Sequence, residues 1–426
     1  MKKLLTLLLT CAAALLAAGP LTITTDKPEG VYTDADKEIV FKVSPLPGEG
    51  EEIVCRLQIN RQNGTKVEMA ADGTVKVPVT TGWIRLDAVR VNKKGKTTGK
   101  AVKGALCNVP KIKAGAVDPD DFDAFWSAEI AKMNKVPMNP VLEEVTGTPE
   151  NKNGTIRIWK FKLDCGEGNF AMGYLAMPAN AKPGTLPAIA QFRGAGTYTL
   201  QKAPVYYAKN GIHVMMSPHM TEGGKGAAYD KAMRKTLNGY MRRDADNRDK
   251  YYMKGMILRA VRTMQFIKSL PEWDKKTLVT HGESQGGFQS LVAAVLTPET
   301  TFCLAMVPAL SDHQGYRIGY PNGWPRLIPD QVTIDPATQK PAQDLYQAID
   351  AAAPYFDCVN FARRAHCKTW ISTGLQDAVC PPTGVCAVYN LLPVEKQLYI
   401  APHRGHDAGY PAAGPVLDEM LNVKGK

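Results

Sequence analysis

Apolar and polar positions alternate in the first part of the chain. From residue 21 to about residue 110, short segments with a period of two are separated by Gly- and Asp-containing turns, which is typical of half-buried strands in a β-sandwich. The clearest segments are residues 38–43, 53–59, 74–79 and 84–91. We predict a small immunoglobulin-like all-β domain over residues 21–112. Its expected role is structural, and Trp83 is its one feature suited to carbohydrate binding.

The pattern changes after residue 112, where strand-like apolar segments alternate with helical ones. Asp118 to Phe122 predicts a helix start, because acidic residues in a first turn suit the helix dipole. Apolar residues at intervals of three and four from Met253 to Ile267 predict a helix that packs on a sheet. Strands that alternate with helices pair in parallel, so residues 113–426 are predicted to form an α/β domain with a mostly parallel central sheet. The predicted strands are residues 156–163, 170–177, 187–192, 212–216, 277–280, 302–307, 369–373 and 397–400.

The first 20 residues have the pattern of a secretory signal peptide. Lys2 and Lys3 precede an apolar run from Leu4 to Ala18, which has the length of a signal h-region and is too short for a membrane span. Acylation at Cys11 would make the chain a lipoprotein, but the apolar run continues past that residue. We expect an exported protein, periplasmic or secreted, with cleavage near Gly19 and no stable membrane insertion.

The composition is that of an ordinary soluble globular protein, with 44% hydrophobic and 22% charged residues among 426. The formal net charge is +11, but the densest positive run, Lys93 to Lys103, contains two glycines and suits a solvated hairpin tip, so no nucleic-acid partner is expected. The nine cysteines lack CxxC or zinc-ligand spacing, so we expect no metal site. Cys55 with Cys107 is the one pair to test for a disulfide.

The most informative motif is Gly282-Glu283-Ser284-Gln285-Gly286-Gly287, which lies between a strand and a helix. A strand-to-helix turn this tight requires flanking residues without bulk, and it lifts the serine hydroxyl above the sheet. This arrangement is a nucleophile elbow. We predict that Ser284 is the nucleophile.

A serine hydroxyl needs a histidine to take its proton and a carboxylate to orient that histidine. In folds with this elbow, the chain order is serine, acid, histidine. Asp377 ends a late strand and precedes the stiff pair Pro381-Pro382, so it is the predicted acid. His403 and His406 both follow the last strand. We predict His406 as the base, because Gly405 gives its loop backbone freedom.

The tetrahedral intermediate of such a reaction needs two backbone N–H donors. By the geometry of the elbow, one donor is the N–H of Gln285, directly after the nucleophile. The other should lie in the loop after an earlier strand. Arg193-Gly194-Ala195-Gly196 follows the strand at residues 187–192, which nominates the N–H of Ala195.

From Asp118 to the C-terminus, the chain resembles the acetyl xylan esterase and cephalosporin C deacetylase family, carbohydrate esterase family seven. The resemblance implies an α/β-hydrolase fold, a triad of Ser284, Asp377 and His406, and an oxyanion role for Ala195. Residues 192–195 read Phe-Arg-Gly-Ala where the family usually has Phe-His-Gly-Tyr, and the family's Arg-Gly-Gln motif is replaced. The similar segments are residues 119–126 (PDDFDAFW), 251–274, 282–287, 355–357, 374–390 (GLQDAVCPPTGVCAVYN) and 405–407.

The expected activity is removal of acetyl groups from plant-polysaccharide fragments through an acyl-enzyme, without a metal or organic cofactor. The expected partner is an acetylated oligosaccharide or other small acetyl ester, and oligomerisation is left open. The Pro-, Gly- and aromatic-rich stretch 311–350 is predicted to cover the site, with Tyr316, Tyr320 and Trp324 as candidate substrate-binding residues. Two alternatives remain: a serine exopeptidase of the prolyl-oligopeptidase group, and a non-catalytic glycan-binding protein with a relic hydrolase core.

Overall fold

The computed structural model describes residues 19–61, 63–147, 151–196, 204–221, 227–329 and 332–421. Residues 1–18, which hold most of the predicted signal peptide, lie outside the described residues. Within the described ranges, no helix combines the length and the apolar character needed to cross a bilayer.

The described residues of the N-terminal β-region, residues 22–107, form eight strands in two sheets. The strands are β1 (Thr22–Thr25), β2 (Val31–Tyr32), β3 (Glu38–Ser44), β4 (Glu51–Ile59), β5 (Thr65–Val67), β6 (Thr74–Pro78), β7 (Gly82–Asn92) and β8 (Thr97–Cys107). One sheet has the order β1-β3-β6 and the other the order β2-β8-β7-β4-β5. All pairs are antiparallel except β2 with β8. The predicted all-β character of this region is confirmed.

The two small sheets face each other across one apolar core. Ile39, Phe41 and Val43 alternate with more exposed residues along β3, and their side chains belong to this core. Cys55 and Cys107 lie in the same core as free, buried thiols. The pair that we singled out is therefore not bridged in the structure.

The lysine-rich run between residues 93 and 103 is not uniformly solvated. Lys93, Lys94 and Lys96 are exposed at the turn between β7 and β8, but Lys103 has only 1% of its surface exposed. The prediction of a solvated hairpin tip is wrong for Lys103, because this side chain points into a contact with the C-terminal half of the chain.

The second part of the chain forms a mixed nine-stranded sheet with the order β17-β16-β15-β14-β12-β13-β11-β10-β9. Its strands are β9 (Val141–Glu144), β10 (Ile156–Asp164), β11 (Phe170–Pro178), β12 (Leu186–Phe192), β13 (Ile212–Met216), β14 (Trp273–Glu283), β15 (Phe302–Met306), β16 (Lys368–Gly374) and β17 (Lys396–Ala401). The six strands from β13 to β17 in this order pair in parallel, and β9, β10 and β11 are antiparallel. The predicted α/β class is confirmed.

In the described part of the chain, eight helices accompany these strands. They are α1 (Phe122–Asn134), α2 (Ala227–Thr236), α3 (Tyr252–Ser269), α4 (Gln285–Val295), α5 (Asp344–Ala352), α6 (Cys358–Ala362), α7 (Pro382–Leu391) and α8 (Tyr410–Met420). Short 3-10 helices lie at Val109–Lys111, Tyr207–Lys209, Tyr240–Arg242, Gly315–Ile318 and Ala353–Phe356. Residues of β15 show that both faces of the sheet are covered: Cys303 and Ala305 lie in the core that includes α4, and Leu304 in the core that includes α8. Such double burial explains the continuous apolar runs of the parallel strands.

The segment between the two parts of the chain is held by side chains of the second part. Asn390, at the end of α7, donates from Nδ2 to the carbonyls of Val109 and Ile112, both at 2.8 Å. Backbone N–H groups of Gly115 and Ala116 donate to one oxygen of the buried Asp312, both at 2.9 Å. The connection therefore follows a fixed path along the α/β part.

Candidate active site

Ser284 lies at the turn between β14 and α4. Its backbone has φ 59° and ψ −122°, a conformation that costs a residue with a side chain on the order of 1–3 kcal/mol. The end of β15 and the loop after it hold this turn. The Ser284 N–H donates to the Met306 carbonyl at 2.9 Å, and the Ser284 carbonyl accepts the N–H of Ala309 at 3.0 Å. The serine is thus fixed at the carboxyl edge of the parallel strands.

The glycines on either side of Ser284 are required by close backbone approach. A Cβ atom on Gly286 would lie 2.2 Å from the Phe192 carbonyl oxygen, and one on Gly282 would lie 2.4 Å from the Gly286 carbonyl oxygen. Any side chain at these positions would therefore push β12 away from the elbow.

Ser284, His406 and Asp377 form one chain of hydrogen bonds. His406 Nε2 lies 2.8 Å from Ser284 Oγ, and His406 Nδ1 lies 2.9 Å from Asp377 Oδ2. A neutral His406 protonated at Nδ1 donates to the carboxylate and presents Nε2 as the acceptor for the serine proton. This is the geometry that a serine nucleophile and its base require.

Asp377 is buried and held by its own loop. Its second carboxylate oxygen accepts the N–H groups of Val379 at 2.7 Å and Cys380 at 3.0 Å. The loop follows β16, as predicted, and precedes α7. The carboxylate is therefore fixed before any substrate binds.

The pKa of His406 is set by opposing influences. Burial lowers it, but the hydrogen bond and charge of Asp377, together with the charges of Glu283 and Asp407, raise it above the ordinary histidine value. The raised pKa means that the three carboxylates favour the imidazolium form. A site that transfers a proton through His406 needs this stabilisation.

The neighbouring histidine, His403, has a different environment. The Lys103 ammonium donates to His403 Nδ1 at 3.2 Å, and the ring is exposed. Burial and the charge of Lys103 lower the pKa of His403. The structure therefore brings His406, and not His403, to Ser284.

A cavity of about 230 Å³ opens beside Ser284. Ala195 lines it together with the nucleophile and the base, and Gln285 begins α4 directly after the nucleophile. The two residues predicted to supply oxyanion donors are thus both next to Ser284. The other walls of the cavity come from the ends of β12, β14 and β15 and from α8, and they include Gln191, Arg193, His281, Glu283, Met306 and Tyr410.

Three side-chain contacts at this site are absent from the sequence-based predictions. The Tyr240 hydroxyl donates to Gln285 Oε1 at 2.6 Å, and Gln289 Nε2 donates to the Arg193 carbonyl at 3.0 Å. The Tyr410 hydroxyl donates to Glu283, the residue before the nucleophile. The charged residue Glu283 inside the Gly-x-Ser-x-Gly motif is the local signal for such contacts. Tyr240 and Tyr410 are themselves far from this motif in the sequence.

Glu283 is a half-buried carboxylate in the wall of the cavity. Burial raises the pKa of Glu283, and the hydrogen bond from Tyr410 and the charge of His406 oppose this rise. Glu283 is therefore a second acidic group whose charge acts on His406.

The three aromatic residues predicted to bind substrate are placed differently from one another. The Tyr316 hydroxyl donates to Asp350 at 2.6 Å, so this ring is held within the stretch 311–350. None of the three is among the described residues that line the cavity beside Ser284. Trp324 contacts residues that adjoin the site: its backbone N–H donates to the Val379 carbonyl at 2.7 Å, and its ring centre is 6.4 Å from that of Tyr240.

Asp377, Cys380 and His406 offer possible metal-ligand atoms within 4.8 Å of one another. Both His406 nitrogens and both Asp377 oxygens already take part in the hydrogen bonds described above. Burial raises the pKa of the Cys380 thiol well above its ordinary value, whereas a metal ligand must be the thiolate. This group therefore suits proton transfer better than metal binding.

Comparisons with known proteins find relatives of this chain by sequence and by fold. The sequence model of the acetyl xylan esterase family matches residues 104–414. The acetyl esterase Axe7A of Xylanibacter ruminicola is 34% identical over 307 residues, which cover 69% of this chain and 65% of that protein. The chain thus spans just under two thirds of the length of this relative.

Two solved structures share the fold. An acetyl xylan esterase from a Paenibacillus species has a TM-score of 0.61, and acetyl xylan esterase 1 from a Thermoanaerobacterium species has a TM-score of 0.60. Each is 22% identical, and each comparison covers 74% of this chain and 98% of the other. The likeness confirms the predicted α/β-hydrolase fold.

Proposed function

The chain belongs to the acetyl xylan esterase family, and on that basis we propose that it is a serine esterase that removes acetyl groups from plant-polysaccharide fragments. The observation that carries the proposal is the continuous hydrogen-bond chain from Ser284 Oγ through His406 to Asp377. The predicted oxyanion donors, Gln285 and Ala195, lie next to it.

The reaction proceeds in two halves. Neutral His406 takes the proton of Ser284 as the hydroxyl oxygen attacks the acetyl carbonyl, and Asp377 stabilises the imidazolium that forms. The N–H groups of Gln285 and Ala195 stabilise the negative oxygen of the intermediate. The imidazolium then protonates the sugar oxygen as its bond to the acyl carbon breaks, so the sugar departs with a free hydroxyl and an acetyl ester remains on Ser284.

Water completes the reaction. His406 takes a proton from a water molecule that attacks the acetyl-enzyme, and it returns that proton to Ser284 Oγ as acetate leaves. Each proton that is moved is carried by this chain's own residues, so the mechanism requires no metal or organic cofactor.

The cavity walls support a polar alcohol as the leaving group. Arg193, Glu283 and Tyr410 present charged and hydroxyl groups beside Ser284. Sugar hydroxyls can add hydrogen bonds to such groups, whereas an apolar alcohol would take water from them and offer no hydrogen bond in return. This argument favours acetylated sugars over fatty esters.

Acetate release from acetylated xylo-oligosaccharides tests the proposal. We expect the wild-type chain to release acetate and Ser284→Ala to lower kcat by several orders of magnitude. Ser269→Ala, which removes a hydroxyl at the end of α3, is the matched control and should keep full activity. A folded wild-type protein that releases no acetate from these or from an aryl acetate would exclude the esterase. Turnover of aminoacyl-arylamides instead would favour the exopeptidase, and glycan binding that survives Ser284→Ala without any turnover would favour the binding protein.

We also propose that the chain is exported to the periplasm or beyond the cell. The charged and apolar pattern of residues 1–18 supports this proposal. N-terminal sequencing of the protein recovered after expression in a bacterium should find a mature end near Gly19. Recovery of intact Met1 in the cytoplasmic fraction would contradict it.

A further inference from the structure

We propose that the N-terminal β-region positions the catalytic acid and base through two residues, Trp83 and Lys103. This inference rests on the proposed esterase function, in which Asp377 and His406 move the proton. Trp83 lies in β7 and Lys103 in β8, and both side chains are buried against the loops that follow β16 and β17.

Trp83 contacts the backbone just before the acid. Its indole Nε1–H donates to the Leu375 carbonyl at 2.8 Å, two residues before Asp377. The ring is fully buried and shares an apolar core with Leu375 and with Val385 of α7. A buried carbonyl that lost this donor would be left without compensation, so the bond constrains where the loop can lie.

Gly104 brings β8 into direct contact with the same loop. A Cβ atom at this position would lie 1.7 Å from the Leu375 carbonyl oxygen. The next residue, Gln376, is also held, because its N–H donates to the Arg404 carbonyl at 3.0 Å. The backbone before Asp377 is therefore clamped between β8 and the loop that carries His406.

Lys103 performs the same role at the base. Its ammonium group has three acceptors, namely the carbonyls of Pro28 and Pro402, each at 3.4 Å, and His403 Nδ1 at 3.2 Å. An ammonium group has three donors, so each finds one acceptor. Pro402 and His403 open the turn that ends at His406, so Lys103 ties the start of that turn to the N-terminal β-region.

The two contacts converge on one geometric requirement. The Nδ1–Oδ2 distance of 2.9 Å between His406 and Asp377 depends on two loops that come from different strands. Trp83 holds one of these loops and Lys103 the other. Small displacements of catalytic groups lower the rate far more than they lower substrate binding. Trp83 and Lys103 are positioning residues in this sense, since neither lines the cavity beside Ser284.

Two substitutions in the full-length chain test the inference. Trp83→Phe keeps the ring and removes the N–H donor, and Lys103→Met keeps the chain length and removes the ammonium. We expect each to lower kcat for an aryl acetate about tenfold while KM stays within about twofold. Damage to the fold alone would lower the amount of folded enzyme or its melting temperature, but the folded fraction would not combine a lower kcat with an unchanged KM.

The chain offers matched controls for both substitutions. The indole of Trp273 donates to the Thr277 carbonyl at 3.0 Å, at the far end of β14 from Ser284. Lys396 donates to the carbonyls of Tyr389, Asn390 and Leu392 at 2.9–3.0 Å, at the start of β17. Trp273→Phe and Lys396→Met remove equivalent bonds away from the two catalytic loops, so they should leave kcat unchanged.

A titration of the His406 ring by NMR gives a readout that does not depend on turnover. The groups that face this ring are Asp377, Glu283 and Asp407. Trp83→Phe changes no charge, so a fall in the His406 pKa in this variant reports that Asp377 has moved away. We expect that fall, and Trp273→Phe should show none.

The outcomes separate the two proposals. An inactive wild type in which Trp83→Phe still lowers the His406 pKa would contradict the esterase and support the positioning role. An active wild type with unchanged kcat and unchanged His406 pKa in the folded variants would overturn the positioning role alone. If Trp83→Phe does not fold, the kcat of Lys103→Met is compared with that of Lys396→Met. A lower kcat in Lys103→Met alone supports the positioning role, and equal values overturn it.

Discussion

The side-chain amide of Gln289 donates a hydrogen bond to the backbone carbonyl of Arg193, with 3.0 Å between the two atoms. Gln289 lies one turn into α4, and Arg193 lies two residues before Ala195. The bond therefore ties the nucleophile helix to the segment that supplies the second proposed oxyanion donor. We expect Gln289→Leu to lower kcat about tenfold and to leave KM within about twofold, because a displaced donor weakens stabilisation of the transition state. Steady-state kinetics with an aryl acetate measures both constants.

Gln265→Leu is the control for this prediction. The Gln265 amide donates to Asn134 at the surface, 2.9 Å away and on a different helix from Ser284. The Gln265→Leu enzyme should keep the wild-type kcat. A Gln289→Leu enzyme that is folded and fully active would show that Ala195 does not depend on this bond.

The pH dependence of the rate follows from the pKa of His406. The base must be neutral, so activity is present above this pKa and is lost as pH falls through it. Because Asp377 and its neighbours raise the pKa, the acid limb of the kcat/KM profile should lie above the ordinary histidine value of about 6.5. Asp377→Asn should lower kcat by roughly three to four orders of magnitude and shift the limb to lower pH. An acid limb that Asp377→Asn leaves in place would mean that His406 is not the group being titrated.

Glu283 should influence the choice of substrate. Its carboxylate accepts the Tyr410 hydroxyl in the wall of the cavity, where a sugar hydroxyl would compete for it. We expect Glu283→Gln to raise KM for an acetylated xylo-oligosaccharide about tenfold, since a hydrogen bond to a charged group contributes about 1.5–3 kcal/mol. KM for an aryl acetate, which has no sugar hydroxyl, should stay within about twofold. Equal changes for both substrates would place the sugar elsewhere.

Buried histidines should make the protein sensitive to acid. Burial, with a smaller contribution from the charge of His281, lowers the pKa of His213 to about 3. Between the unfolded pKa near 6.5 and this value, the unfolded chain binds the proton and the folded protein does not, so the free energy of unfolding falls as pH drops. His213→Gln removes the titrating group and keeps a donor for Gln191, whose Oε1 lies 3.1 Å from His213 Nε2.

Melting temperature measured from pH 7 to pH 4 tests this expectation. The fall should be shallower in His213→Gln than in the wild type. His366→Gln, which replaces an exposed histidine, should follow the wild-type curve. Parallel curves for all three proteins would show that His213 does not contribute to acid sensitivity.

Local pattern predicted many of the strands in which burial alternates or is continuous, but it did not predict β1, in which burial alternates, or β8. Residues 369–373 were predicted and the strand is Lys368–Gly374, because both of its faces are covered and its residues are almost all buried. β9 was missed, since all four of its residues are exposed and no alternation marks it. Lys103 was misjudged for a related reason. Its burial depends on Pro402 and His403, about 300 positions away, which no local window contains.

The residues of the candidate site also fall into those that the sequence indicates and those that depend on packing between distant elements. Ser284, Asp377 and His406 could be nominated because the fold fixes their order along the chain and the ends of the strands on which they lie. The structure brings these three together, and their roles remain predictions until the variants are measured. The partners Tyr240, Gln289 and Tyr410 could not be nominated, because each touches the site through packing between elements that are far apart in sequence. Tyr316 was nominated for its aromatic ring, but its hydroxyl is held by Asp350 instead.

The backbone of Ser284 also bears on how this protein can be engineered. Its conformation, φ 59° and ψ −122°, is one that glycine adopts without penalty. A search for thermostable variants that scores only the yield of folded protein would therefore reward Ser284→Gly. Relief of strain at a reactive residue commonly raises stability and lowers activity. Selection for stability in this protein therefore has to be coupled to turnover, since a change that relieves strain at the elbow would also remove the nucleophile.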